Sequence, residues 1–197
     1  MKTFIIIFFL IFSFQILTKA DDVRNYEIAD MSVGDSLLKY KNKENIKNYL
    51  EEKIFFPGSK NFFRISFPVN DDNYDFAAAY LKNNDKKYII YALEGLKYIS
   101  YSECKSKMKS IKKDMELDLK LQSNSFQIIE NELPHTYDPS EESMVKFIDF
   151  INADNYTISR IICTDWSKRM EKDDFFDSLA IYLQSKEFSE FMLNDAY

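Results

Sequence analysis

The segment 87–122 sets the tightest limit on what this chain can fold into. It opens with Tyr88-Ile89-Ile90-Tyr91-Ala92-Leu93, an apolar run rich in β-formers and short enough to be a strand. Gly95 is expected to interrupt it. Beyond it, Cys104, Met108, Ile111, Met115 and Leu119 recur at steps of four, three, four and four, with lysines filling the opposite side. That is the spacing of one helix stripe. A strand therefore leads into an amphipathic helix, and the helix carries one of the chain's 2 cysteines.

The start of the chain reads as an address. Lys2 supplies a positive n-region, and 4–17 is an apolar run broken only by Ser13 and Gln15. Thr18-Lys19-Ala20 is followed at once by Asp21-Asp22. This is the layout of a cleavable signal peptide over 1–20, cut after Ala20. An uncleaved membrane anchor is the alternative, but the apolar run is short against the roughly 20 residues a span needs. Residues 21–30 are then a flexible N-terminal segment and 31–197 a single globular domain. Two similar halves, 31–96 and 97–197, are suggested by layout alone.

The net charge is −6, and losing Lys2 and Lys19 makes it about −8. A uniformly acidic exported chain is not expected to hold nucleic acid or an anionic lipid surface. The lysines at 105, 107, 109, 112 and 113 read as a solvated helix face. Aromatic residues at 16% can fill a substantial core.

Cys104 and Cys163 are expected to form one disulfide, because two cysteines in an exported chain most simply pair. Neither a C-x-x-C redox pair nor a thiolate metal cluster is present. The chain-entropy contribution for a loop of that size is about 4 kcal/mol.

Taken in order, Asp35 or Ser36 caps a short helix through about Tyr40, and Asn42 caps a second with Ile46, Tyr49 and Leu50 as its apolar stripe. Strand patterns follow at 62–67, 74–81 and 87–94, with 82–86 as a hairpin loop. After the Cys104 helix, 131–142 reads as a surface loop. Strands at 144–151 and 156–164 flank a turn at 152–155. A polar interruption runs from Trp166 to about Asp174. A last strand at 176–183 precedes a closing helix capped by Ser185, with Phe188, Phe191 and Met192 inward. The expected fold is α+β: two helix-then-three-antiparallel-strand units, helices on one face of the sheet, and a closing C-terminal helix.

Chemistry is sparse. There is no G-x-S-x-G, no glycine-rich phosphate loop and no H-E-x-x-H. His135, the single histidine, reads as a loop residue, although a hydrolase would have to use it as base. Asp71, Asn73 and Asp75 have alternate spacing suited to a cation, but Phe76 and Lys82 stand where an EF-hand needs Gly and Glu. A turn is the simpler reading. Asp173, Asp174 and Asp177 form a second acidic group that could serve in glycoside hydrolysis, or simply be solvated. Asn155-Tyr156-Thr157 is a formal glycosylation acceptor. Trp166 is either an exposed anchor for a partner or a ring packed over the disulfide and helix end. No cofactor and no metal are expected.

The run Met31–Leu38, the strand at 88–94 followed by Cys104 on a helix, and Cys163-x-Asp165-Trp166 together resemble an uncharacterised family of small exported proteins from AT-rich marine alphaproteobacteria. The resemblance implies a bacterial envelope and brings no activity. More loosely, two short helices before three strands look like the helix-helix-sheet unit of outer-membrane assembly lipoproteins and of β-lactamase-inhibitor proteins. That analogy favours binding over catalysis, though fold does not fix function. The expected role is thus a non-catalytic periplasmic protein that binds another protein or envelope component, with no stable membrane insertion after cleavage. The alternatives are a small-ligand binder with an aromatic-lined cavity between sheet and helices, and a hydrolase.

Overall fold

The computed structural model describes residues 26–121, 126–152 and 156–197, side chains of 119–121 excepted. The signal-peptide reading of 1–20, the Asn155 acceptor and the Leu119 side chain lie outside the described residues. The chain begins with a two-stranded hairpin, β1 (Glu27–Ile28) and β2 (Met31–Ser32). A single 3-10 turn at Leu37–Lys39 follows, then α1 (Lys43–Glu51). Ser36 and Asn42 cap these two as their side-chain chemistry suggests, accepting from the backbone N–H of Leu38 and Asn45.

Eight strands then build one antiparallel sheet. Four come in a meander: β3 (Ile54–Phe55), β4 (Phe62–Pro68), β5 (Phe76–Lys82) and β6 (Ile90–Tyr98). The helix α2 (Tyr101–Leu121) leads to a second meander of β7 (Phe126–Pro134), β8 (Met144–Asn152), β9 (Thr157–Asp165) and β10 (Ser178–Gln184). The one-turn helix α3 (Lys168–Glu171) lies between β9 and β10, and α4 (Lys186–Asn194) closes the chain. The strand order is β3-β4-β5-β6-β10-β9-β8-β7. The last strands of the two meanders, β6 and β10, therefore meet at the centre, with Glu94 opposite Tyr182 and Gly95 opposite Ile181.

This corrects the expected fold. The repeating unit is four strands followed by a helix, not a helix followed by three strands. The helices also lie on both faces of the sheet. Cys163, Ile161 and Ser159 point to one face, where Cys163 is bonded to Cys104 of α2 and Ser159 hydrogen-bonds Met115. Arg160 and Ile162 alternate to the other face, where α4 lies across β9 and β6. The physical reason is legible in the strands themselves. Ala77 to Leu81 are buried without a break, as are Ala92 to Glu94 and Ser178 to Ile181. Continuous burial of that kind marks a sheet covered on both sides. By contrast, Phe63, Ile65 and Phe67 alternate with Arg64 and Ser66, and this pattern by itself suggested a solvated second face.

The larger core lies on the α2 face. It joins Ile28, Met31 and Leu37 with Ile46, Phe63, Ile65, Phe67, Leu93, Met108, Met115 and Ile161. The predicted stripe of α2 holds at Cys104, Met108 and Met115, all buried, while Ile111 is half-buried. The disulfide tethers α2 to β9 across a Cα–Cα distance of 5.8 Å. A structural disulfide fits an oxidising, exported location. Among the described residues no helix is long and apolar enough to cross a membrane.

Three local expectations change. The surface loop expected at 131–142 gives its first residues to β7, an edge strand paired along its whole length with β8. Phe55, which lies before the first expected strand at 62–67, belongs to β3 and pairs with Phe63 of β4. Gly95 does not interrupt β6, which runs on to Tyr98. The residue is instead a site of close approach. A Cβ on Gly95 would sit 2.4 Å from Cε1 of Tyr74 and 2.8 Å from Cγ2 of Ile28. Gly95→Ala is therefore expected to push the Tyr74 ring out of place and cost roughly 1–3 kcal/mol. Urea unfolding checks this, and an unchanged midpoint would refute it.

Candidate functional site

The second face of the sheet carries a row of polar and charged side chains, which is unusual for a surface half covered by a helix. Adjacent strands contribute Arg64, Tyr80, Glu94, Tyr182, Arg160 and Asp149 in turn. The register brings them together: Arg64 faces Tyr80, Glu94 faces Tyr182, Tyr182 faces Arg160 and Arg160 faces Asp149. Glu94, only 6% exposed, is the hub. It accepts from Nε of Arg64 at 3.1 Å and from the Tyr80 hydroxyl at 2.9 Å. Tyr182 lies opposite on the neighbouring strand, where the carboxylate acts on its hydroxyl. A carboxylate taken from water needs such compensation.

The electrostatics follow from this packing. Burial, reinforced by Glu94, raises the Tyr80 and Tyr182 hydroxyls well above the ordinary tyrosine range. Both therefore stay protonated as donors. Burial opposes the Arg64 charge, but Glu94 and Tyr80 more than offset it, so its pKa rises. Arg160 is held charged mainly by its hydrogen bonds to Asp149. The Arg160–Asp149 pair is bidentate, with Nη2 to Oδ2 at 2.7 Å, and the guanidinium lies 5.0 Å over the Phe147 ring.

Beside this row opens a cleft of about 390 Å³. Its floor is Tyr80, Arg160, Ile162, Tyr182 and Gln184, and its wall is Phe56, Phe188 and Met192, with Leu193 and Tyr197 at the rim. The wall is built by α4, and local sequence explains its position. Ser185 donates its backbone N–H to the Tyr91 carbonyl and caps α4 through Phe188 N–H. That start directs Phe188 and Phe191 onto Phe56, Phe62 and Tyr80, with ring centroids 4.8–5.4 Å apart where Phe62 and Tyr80 are met. The hydroxyl of Ser189 accepts from Thr157 N–H and ties α4 to β9. Gly58 lets the C-terminal segment lie close, since a Cβ there would meet the Asp195 carbonyl at 2.7 Å.

The residues singled out from sequence lie elsewhere. Trp166 is half-buried, with its ring 4.2 Å from His135 and 4.7 Å from Phe175. Its neighbours are thus loop rings. His135 uses Nδ1 to accept from Tyr137 N–H, and burial lowers its pKa. Among the described residues no hydrogen bond joins its side chain to a serine, and both cysteines are in the disulfide. The acidic group separates. Asp173 and Asp174 are exposed, while Asp177 accepts from Trp166 and Tyr101 N–H and fixes the turn into α2. Asp71 accepts from Asn73 and Tyr74 N–H as an Asx turn, and Asp75 binds Lys97 and Tyr98 N–H. Among the described residues no group of His, Cys, Asp or Glu is arranged to hold a metal ion.

Sequence reasoning missed the Arg64–Glu94–Arg160 row. Its signal was present in isolated charges inside otherwise apolar runs, Glu94 above all. No family model, curated protein or solved structure matches the chain.

Proposed function

We propose that this is an exported, non-catalytic binding protein that holds a small, largely apolar ligand in the cleft between α4 and the centre of the sheet. In this reading 1–20 is a cleaved signal peptide and the mature chain works in the periplasm. The observation that carries the proposal is the cleft itself, aromatic-walled and floored by fixed polar groups. Ligand sites combine a mostly apolar lining with a few well-held polar groups, in volumes of about 300–1,000 Å³. Retaining a buried ion pair is weak evidence for stability and reads better as a device for a site.

The test is Nile red, an uncharged apolar dye, titrated into the wild-type protein and into Ile162→Trp, which fills the floor. Saturable one-to-one binding that weakens at least roughly tenfold in the filled variant is the expected result. Equal binding by both folded proteins, or no saturable binding, would refute the reading.

A second reading has its own observation. The same face is open over β7 and β8, where Ile129 is 45% exposed and Val145 and Phe147 are half-buried. A protein partner docking on this sheet surface is consistent with it, and crosslinking in intact cells followed by mass analysis decides. A reproducible partner crosslinked through β7 or β8 would support that reading, and its absence would remove it.

A further inference from the structure

Resting on the cleft reading, we infer that its ligand is a small organic monocarboxylate with an apolar body, bound with its carboxylate against Arg160. Among the side chains lining the cleft there is no aspartate, no glutamate and no lysine, and Arg160 alone carries a charge. This stands out in a chain of net charge −6. A cationic ligand would find no counter-charge among those side chains.

Arg160 is also prepared for a second acceptor. Asp149, on the neighbouring strand, takes Nε and Nη2. Phe147 supports the flat face of the guanidinium. No hydrogen bond engages Nη1 among the described residues. The fork is thereby fixed in direction, with one edge left to donate, and a planar carboxylate matches it. Asp149 already offsets much of the Arg160 charge, so a single negative charge is the most that this site can match. A dianionic phosphate monoester would remain underneutralised.

The remaining wall is apolar. Phe56, Ile162, Phe188 and Met192 offer surface to a chain or ring roughly the size of a medium-length acyl group. The polar and apolar parts of the cleft therefore ask for one molecule with two ends.

The experiment compares decanoate, decanol and decyltrimethylammonium, each below its micellar concentration, by calorimetry on the mature protein. Decanoate is expected to bind roughly tenfold or more tighter than decanol, as a charge-assisted hydrogen bond requires, with the ammonium weakest. The double variant Arg160→Gln/Asp149→Asn replaces the ion pair by a neutral one and leaves no buried carboxylate unpaired. It is expected to reduce decanoate to the affinity of decanol. Equal binding of acid and alcohol by the wild-type protein, or an acid preference that survives in the double variant, would overturn the carboxylate assignment and leave the cleft standing. Failure of all three to bind would overturn both. Should the double variant not fold, the acid–alcohol comparison on wild-type protein decides alone.

Discussion

Replacing Cys104 and Cys163 together by alanine is expected to lower stability by about 4 kcal/mol and the melting temperature by roughly 8–16 °C. The bond closes a loop with a sequence separation of 59, and most of its effect arises from restricting the unfolded chain. That loop contains α2, β7 and β8. Reduction therefore frees the whole passage from the first meander into the second. Both sulfurs are fully buried, so alanine also leaves small voids beside Ile161 and Leu179, which adds to the loss. Thermal unfolding followed by circular dichroism, with reduced wild-type protein as a second arm, measures the effect. A melting temperature within a degree or two of the oxidised protein would show that packing of Met108 and Met115 against β9 holds α2 unaided.

The parts of this fold that could be read from sequence are those set by local chemistry. Ser36, Asn42 and Ser185 each have a side-chain oxygen within reach of the N–H groups that a helix start leaves unpaired. Cys104, Met108 and Met115 share one stripe because helical geometry alone aligns them. Most strands were visible for a similar reason: β-rich apolar segments between turn residues can do little else. The disulfide followed from cysteine count and the expectation of export.

What could not be read depended on partners distant in sequence. β7 contains Glu130, Asn131 and Glu132, which look like loop residues. They are tolerated because β7 is an edge strand and Lys112 and Lys146 pair with the two glutamates. The central pairing of β6 with β10 joins strands separated by α2 and the other three strands of the second meander, and no local pattern announces it. The side on which α4 lands was also hidden. Phe188 and Phe191 show only that an apolar stripe exists, whereas its face is set by Phe62 and Tyr80. The cleft and its polar row depend on both of these long-range choices, so the site was the least legible part of the chain. Trp166 drew attention as a rare residue, yet rarity carries no geometry. Its ring lies between His135 and Phe175, away from the cleft.

Removing the hub of the polar row should be the most damaging single substitution on that face. Glu94→Ala would leave the Tyr80 hydroxyl without its acceptor and Arg64 without its counter-ion. Breaking a buried pair by deleting one partner costs about 3–5 kcal/mol. The lower end applies here, because the Arg64 side chain is 32% exposed and can recover some hydration. Glu94→Gln preserves shape and one acceptor but turns an amide N–H₂ toward groups that themselves donate, so its loss should be smaller and still clear. Glu94→Leu combined with Arg64→Met, Tyr80→Phe and Tyr182→Phe removes the polar set together, and buried ionic groups replaced this way are often neutral or stabilising. That combination should therefore recover most of the stability lost in Glu94→Ala, while its altered floor weakens dye binding in the cleft. Chemical denaturation of the three proteins, with Nile red titration of each folded state, measures both effects. Recovery of stability with loss of binding would mean that the row is maintained for the ligand. Recovery of both would mean that Glu94 and its donors merely satisfy one another beneath α4.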